Sequence, residues 1–171
     1  LTALKGYMKD LSKDITFAVQ IGEHSKRAEL LEMLNQLAST SDKISVAEVD
    51  RPNDLRSAVS FLVQADGEDT GIKFSGVPGG HEFNSLILAV LQSGGSTLKL
   101  DESIQNMVKK VNDKLKFQVY VSLSCHACPD VVQAMNQFAL LNPNIEAEMI
   151  DGGVYPELVE ENNIQGVPTV Y

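Results

Sequence analysis

LKFQVYVSLSCHACPDVVQAMNQFALL, residues 115–141, passes from strand to helix in a single step. Leu115–Leu123 is crowded with β-branched and aromatic residues and reads as a strand. From about Cys125 to Leu141 the apolar residues follow helical spacing. Asn142-Pro143 ends that helix, because the residue before a proline is pushed out of the helical region. Ile145–Asp151 follows as another strand. Strand, helix and strand joined this tightly imply two parallel strands with a right-handed crossover. Cys125 and Cys128 stand at the turn from the first strand into the helix.

The same pattern occurs earlier in the chain. Leu4, Tyr7, Met8, Leu11, Ile15 and Phe17 fall on Ile104, Met107, Val108, Val111, Leu115 and Phe117 at an offset of 100. After one extra residue the match resumes at 101, with Asn35-Gln36-Leu37-Ala38 on Asn136-Gln137-Phe138-Ala139 and Ile44, Val49 and Asp50 on Ile145, Ile150 and Asp151. The apolar registers agree over nearly fifty positions, so the chain reads as two tandem copies of one fold, residues 1–99 and 100–171. Each copy opens on an amphipathic helix, with Leu1, Leu4, Tyr7, Met8 and Leu11 on one apolar face and Leu100, Ile104, Met107, Val108 and Val111 on the other. Strands at 15–21 and 44–50 and a helix at 25–38 then match those of the second copy. The copies diverge afterwards. YPELVEEN (155–162) reads as a short helix led by Pro156, whereas residues 51–58 carry only a Pro-Asn-Asp turn signal. The first copy continues with strands at 61–65 and 71–76 and a helix at 82–92 closed by Gly94-Gly95. The second copy stops at Tyr171, so its expected hairpin strand and helix are missing and the strand at 167–171 is expected at an unpaired sheet edge.

Composition narrows the function. Fourteen basic and 23 acidic residues in 171 give a net charge of −9. The first hundred residues carry 10 basic and 13 acidic, the remainder 4 and 10, and from Phe117 onward there are seven acids and no Lys or Arg. A phosphate backbone needs cations to displace its counterions, so nucleic acid is not an expected partner. The longest apolar run, Leu86–Leu91, is far short of the roughly 20 residues of a membrane span. No basic segment precedes an apolar one, so no signal peptide is expected in the given chain, which begins at Leu1 rather than Met. Two cysteines do not make a disulfide scaffold.

A Cys-x-x-Cys at a strand-to-helix turn has a direct chemical meaning. Free N–H groups and the helix dipole at a helix N-terminus stabilise a thiolate, which is the nucleophile of disulfide exchange. Cys125 is the expected attacking thiol, Cys128 the resolving one and Ser124 the expected N-cap. His126 adds positive charge there when protonated. Pro129 has no N–H for the Cys125 carbonyl, so the first helical turn should be irregular. A zinc site would need four ligands, and only His24, His81 and His126 accompany the cysteines; a structural disulfide would close too short a loop to add much stability. The redox dithiol is the favoured reading. Gly166-Val167-Pro168-Thr169 is the second signal. In a thioredoxin-like arrangement Pro168 is cis and faces the cysteines, and the backbone of Val167 pairs with an incoming chain as an added strand.

SLSCHACPDVVQAMNQ (122–137), MIDGG (149–153), GVPTV (166–170) and GHEFNSLILAVLQSGG (80–95) together resemble the N-terminal domain of the alkyl hydroperoxide reductase flavoprotein subunit, over essentially the whole chain. The resemblance implies an α/β protein of two fused thioredoxin-like folds of three α/β/α layers, the first without cysteines and the second cut short after its cis-proline strand. It implies FAD and NADH modules and a further Cys pair elsewhere in the subunit. Electrons would pass from them to Cys125 and Cys128 and on to a peroxiredoxin disulfide, making the flavoprotein portion and the peroxiredoxin subunit the partners. The Gly-rich dinucleotide fingerprint is absent from these residues, so neither cofactor is expected to bind here. The first copy departs from the pattern: Val59 stands at the cis-proline position and Glu23-His24-Ser25-Lys26 at the cysteines, leaving a scaffold with His24 on its surface. Glu82 has two readings, a first-turn acid complementing a helix dipole or a proton acceptor reaching the Cys pair across the interface. His81 is its bland neighbour. Two functions remain beside the electron relay, a free-standing protein disulfide oxidoreductase and a docking module with an inert disulfide. A reversible thiol pair without a signal points to the cytoplasm.

Overall fold

A computed structural model describes residues 2–171. Leu1, included in the first apolar face, lies outside the described residues. The element order is α1 (Thr2–Met8), β1 (Ile15–Gln20), α2 (Arg27–Ala38), β2 (Ile44–Val49), β3 (Ser60–Ala65), β4 (Glu68–Ser75), a 3-10 turn (Gly80–Glu82), α3 (Phe83–Ser93), α4 (Glu102–Lys109), β5 (Leu115–Val121), α5 (Cys128–Leu141), β6 (Ile145–Asp151), α6 (Pro156–Glu161) and β7 (Thr169–Val170).

All these strands join one sheet in the order β2-β1-β3-β4-β6-β5-β7. The expected parallel pairs are present, β1 with β2 and β5 with β6. The hairpin β3–β4 runs antiparallel. Nothing in the repeat pattern anticipates that β4 pairs in parallel with β6, from Ile72 opposite Ala147 to Ser75 opposite Ile150. The two copies therefore share one continuous sheet. β7 pairs with β5 and forms one sheet edge.

The core follows from the strand sequences. In β1, Ile15, Phe17, Ala18 and Val19 have no exposed surface, as an inner strand of β-branched and aromatic residues should. Phe17, Phe61 and Phe74 meet across β1, β3 and β4, with centroid separations of 5.7 and 5.2 Å. α5 packs on β4 and β6 as well as on α3, so the cysteine-bearing helix sits over the junction of the copies.

That junction demands a close backbone approach. Gly71 has φ +87°, and a Cβ there would come within 2.7 Å of the Ile145 carbonyl oxygen. Beside it, Arg56 makes a two-pronged ion pair with Glu148 at 2.9 and 2.8 Å, and Ser75 Oγ donates to the same carboxylate at 2.5 Å.

Several boundaries differ from expectation: β4 begins at Glu68 rather than residue 71, β5 ends at Val121 rather than Leu123, and the last strand is confined to Thr169–Val170. α5 begins at Cys128, not Cys125, and its N-cap is Ala127 rather than Ser124, whose hydroxyl pairs with that of Ser122 at 3.1 Å. Pro129 supplies the reason, since it cannot donate to the Cys125 carbonyl. α2 starts at Arg27, and Glu82 belongs to the 3-10 turn before α3. The amphipathic faces of α1 and α4 are also only partly covered. Met8 and Val108 are buried, but Tyr7, Ile104 and Met107 are exposed. Asn142 adopts the extended conformation required before proline. Its buried amide donates to the carbonyls of Val108 and Val111, at 2.9 and 2.7 Å, and so fastens the end of α4.

Candidate functional site

β5 ends at Val121, and the turn over residues 122–127 carries Cys125 to the head of α5. Cys125 and Cys128 are joined as a disulfide, with Cα atoms 5.5 Å apart. The backbone N–H of Cys128 donates to the Cys125 sulfur at 3.2 Å. This is one of the free N–H groups of the helix start, aimed at the atom that becomes the thiolate on reduction. Cys125 keeps some exposure, whereas Cys128 has none. Of the two, only Cys125 is open to solvent.

The Val167–Pro168 peptide is cis. The Val167 carbonyl oxygen lies 4.0 Å from the Cys125 sulfur, and Val167 is exposed. The sequence leads to this juxtaposition, and it places an open length of main chain beside the exposed sulfur.

The other half of the chain closes over the turn. His81 N–H donates to the Leu123 carbonyl at 2.9 Å. Gly80, at φ +55°, makes this approach possible, since a Cβ there would lie 2.7 Å from that same oxygen. The His81 ring stands 4.3 Å from the ring of His126. The 3-10 turn that carries Glu82 thus packs on the cysteine turn. Glu82 itself has no exposed surface. Ser85 Oγ donates to its Oε1 at 2.7 Å, while Oε2 has no partner among the described residues. Burial pushes the carboxyl above the ordinary glutamate range, and the Ser85 hydrogen bond pulls it partly back.

Some residues of the site are not singled out by the sequence. Ser85 and Gln133 extend the contacts of Glu82, and the only hint of Ser85 is its spacing of three from Glu82 on an apolar helix. Arg27 is another. At the offset of 101 it falls on Cys128, and it opens α2 as Cys128 opens α5, so the position of the second cysteine lies one residue beyond the expected Glu23–Lys26 stretch. Its guanidinium donates to the Ala58 carbonyl at 2.8 Å and to the Gln20 carbonyl. Ala58 precedes Val59 as Val167 precedes Pro168, so Arg27 fills the corner that in the second copy holds the disulfide. His24 stays in that corner, partly exposed, where its Nδ1 accepts the Lys26 N–H at 3.1 Å. Among the described residues no cluster of three metal-ligating side chains forms, and no helix is long and apolar enough to cross a membrane.

Residues 115–171 match the family model described as a thioredoxin domain. Over 98% of the chain, a protein of Bacillus subtilis (strain 168) named NADH dehydrogenase is 46% identical. An alkyl hydroperoxide reductase of the AhpF type from Staphylococcus epidermidis is 42% identical over the same share. The chain spans about a third of the length of these curated relatives, 32% of each. A crystal structure of the NTD_N/C domain of the alkylhydroperoxide reductase AhpF from Enterococcus faecalis (V583) superposes with a TM-score of 0.90 at 36% identity, covering 99% of this chain and 86% of that one. A protein disulfide oxidoreductase from Aeropyrum pernix K1 shares the fold alone, with a TM-score of 0.86 at 14% identity. With the double fold, the single disulfide at the head of α5 and these relatives together, the chain belongs to the N-terminal domains of the AhpF family of alkyl hydroperoxide reductases.

Proposed function

We propose that this chain is a dithiol relay that accepts electrons from a flavoprotein disulfide centre and reduces the disulfide of a peroxiredoxin. The observation that carries the reading is the Cys125–Cys128 disulfide at the head of α5, with Cys125 beside the open main chain of Val167. In the reduced form the Cys125 thiolate attacks one sulfur of the partner disulfide, forming a mixed disulfide and releasing the partner's other sulfur as a thiolate. Cys128 then attacks the Cys125 sulfur. The mixed disulfide breaks, the partner leaves reduced, and the ring closes. Two electrons leave this chain and two enter the partner. Cys128 must lose its proton before it attacks, and it is buried. Glu82, on the turn that packs against the cysteine turn and α5, is the proton acceptor in this reading, and burial raises its carboxyl above the ordinary glutamate range. His126 and Val167, both exposed, are the surface that the partner meets.

Residues 1–99 serve as scaffold and supply Glu82. FAD and NADH belong to other parts of the longer relatives. Here the junctions of the inner strands with the helices that follow read GEHSK, SGVPGGHE, SCHACP and DGGVYP, and although two of them carry glycines, none has the G-x-G-x-x-G spacing that lets a backbone approach a pyrophosphate. A reversible dithiol suits the cytoplasm, where thiols are kept reduced.

The test uses the chain reduced and freed of reductant, mixed with an oxidised peroxiredoxin. Thiols should appear on the peroxiredoxin as they disappear from Cys125 and Cys128. No transfer, or transfer at the same rate by Cys125→Ser, overturns the reading.

A further inference from the structure

One directed chain of hydrogen bonds ties Glu82 to the cysteine-bearing helix. Gln133 Nε2, on α5, donates to Ser85 Oγ at 3.2 Å. Ser85 Oγ lies 2.7 Å from Glu82 Oε1. An amide nitrogen can only donate, so the serine oxygen accepts from Gln133 and its single hydrogen is left for the carboxylate. Gln133 therefore sets the direction in which Ser85 points. Both Ser85 and Glu82 are fully buried, so water does not compete for these groups.

Gln133 is itself held. Gln137, one turn further along α5, donates to the Gln133 carbonyl at 3.2 Å. Its own side-chain oxygen accepts the N–H groups of Lys99 and Leu100 at 2.6 and 3.2 Å. The same face of α5 thus grips the segment where one copy passes into the next. With Oε1 engaged, Glu82 Oε2 is the carboxyl oxygen without a partner among the described residues. A buried carboxylate oxygen with no donor is costly, so a proton arriving at this carboxyl is held best there.

We infer that Ser85 and Gln133 are positioning residues for the resolving step: they hold Oε1 from the side of α5 and leave Oε2 to take the Cys128 proton. The inference rests on Glu82 being the proton acceptor. In the step, the Cys128 S–H proton moves to Oε2. The resulting thiolate forms a bond to the Cys125 sulfur, and the bond from Cys125 to the partner sulfur breaks. The partner sulfur leaves with the electron pair, so charge and electrons balance. The first attack, by Cys125, does not use Glu82, and a misaimed carboxyl slows the second step alone.

The disulfide of thionitrobenzoate separates the two steps. The reduced chain releases one coloured thiolate when Cys125 attacks and a second when Cys128 closes the ring, and rapid mixing resolves the phases. Ser85→Ala should slow the second phase about tenfold relative to the first, the scale of one hydrogen bond to a charged group. Ser85→Thr keeps the hydroxyl and should recover most of that rate. Gln133→Met, on a partly exposed position, should slow the second phase less but in the same direction, and it carries the test if Ser85→Ala does not fold. A second phase of wild-type rate in Ser85→Ala or Gln133→Met, or Ser85→Thr as slow as Ser85→Ala, overturns the inference. Glu82→Gln distinguishes the two levels. If it slows the second phase while Ser85→Ala does not, only the positioning role falls. If it leaves the second phase untouched, the acceptor role of Glu82 falls first.

Discussion

The imidazole of His81 stands 4.3 Å from that of His126, centroid to centroid, with the rings inclined by 57°. One ring belongs to the cysteine-free half and the other lies between the two cysteines. The main chain repeats the contact, His81 N–H to Leu123 carbonyl. The redox turn is thus held from both halves, and a change in either half can be read at the disulfide.

The unequal exposure of the cysteines predicts unequal roles. If the chain acts as the proposed relay, Cys128→Ser should trap a stable mixed disulfide with a peroxiredoxin, because the reading makes buried Cys128 the group that releases it. Cys125→Ser should trap none. Non-reducing electrophoresis and intact mass distinguish the outcomes, and equal trapping by both variants contradicts the assignment.

Glu82 predicts a pH dependence of stability with a definite sign. Burial raises its folded-state pKa above the ordinary glutamate value, with Ser85 opposing. The folded chain then binds more protons than the unfolded one over that interval. The stabilisation is complete below the unfolded pKa of about 4.3 and is lost as pH rises through the raised value. Glu82→Gln removes this loss. Relative to wild type, its urea midpoint should be higher at about pH 8 than at about pH 4. A difference from wild type that is the same at both pH values shows that Glu82 ionises normally.

Arg27 predicts a structural cost without a redox cost. Its side chain, 13% exposed, holds the carbonyls of Gln20 and Ala58 in the corner that lacks cysteines. Arg27→Met leaves both without this donor and should destabilise the chain by roughly 2–3 kcal/mol. Disulfide exchange by the surviving folded protein should keep its wild-type rate, as measured with the thionitrobenzoate disulfide. A slowed exchange places Arg27 in the path from one half to the other.

Gly71 tests the junction of the sheet. Gly71→Ala puts a Cβ against the Ile145 carbonyl at a positive φ. It should cost about 2–3 kcal/mol in chemical denaturation, the scale of a non-glycine residue forced into that region. A neutral result means that β4 and β6 separate at little cost.

Much of this is legible along the chain. Local pattern places the inner strands, because β1 and β5 are stretches rich in β-branched and aromatic residues. Pro143 marks the end of α5 through its own steric effect on Asn142. Pro129 signals an irregular helix start, although the true start lies at Cys128, beyond the expected Cys125. Tyr7 and Met107 show where periodicity falls short: an apolar stripe records which side chains avoid water, not whether a neighbour covers them.

The doubled fold and the cysteine pair at the head of a helix are written in the linear chain, since both follow from interactions among residues close together: apolar spacing, β-propensity and a Cys-x-x-Cys at a strand-to-helix turn. Three features come from folding in space instead. β4 and β6 join the copies into one sheet, Gly80 lets the Glu82 turn settle on Leu123, and Gln133 reaches Ser85 beside the carboxyl. Each of these contacts joins residues distant in the chain. No local propensity encodes them; they arise when two separately patterned surfaces exclude water from each other and the buried polar groups between them must find partners.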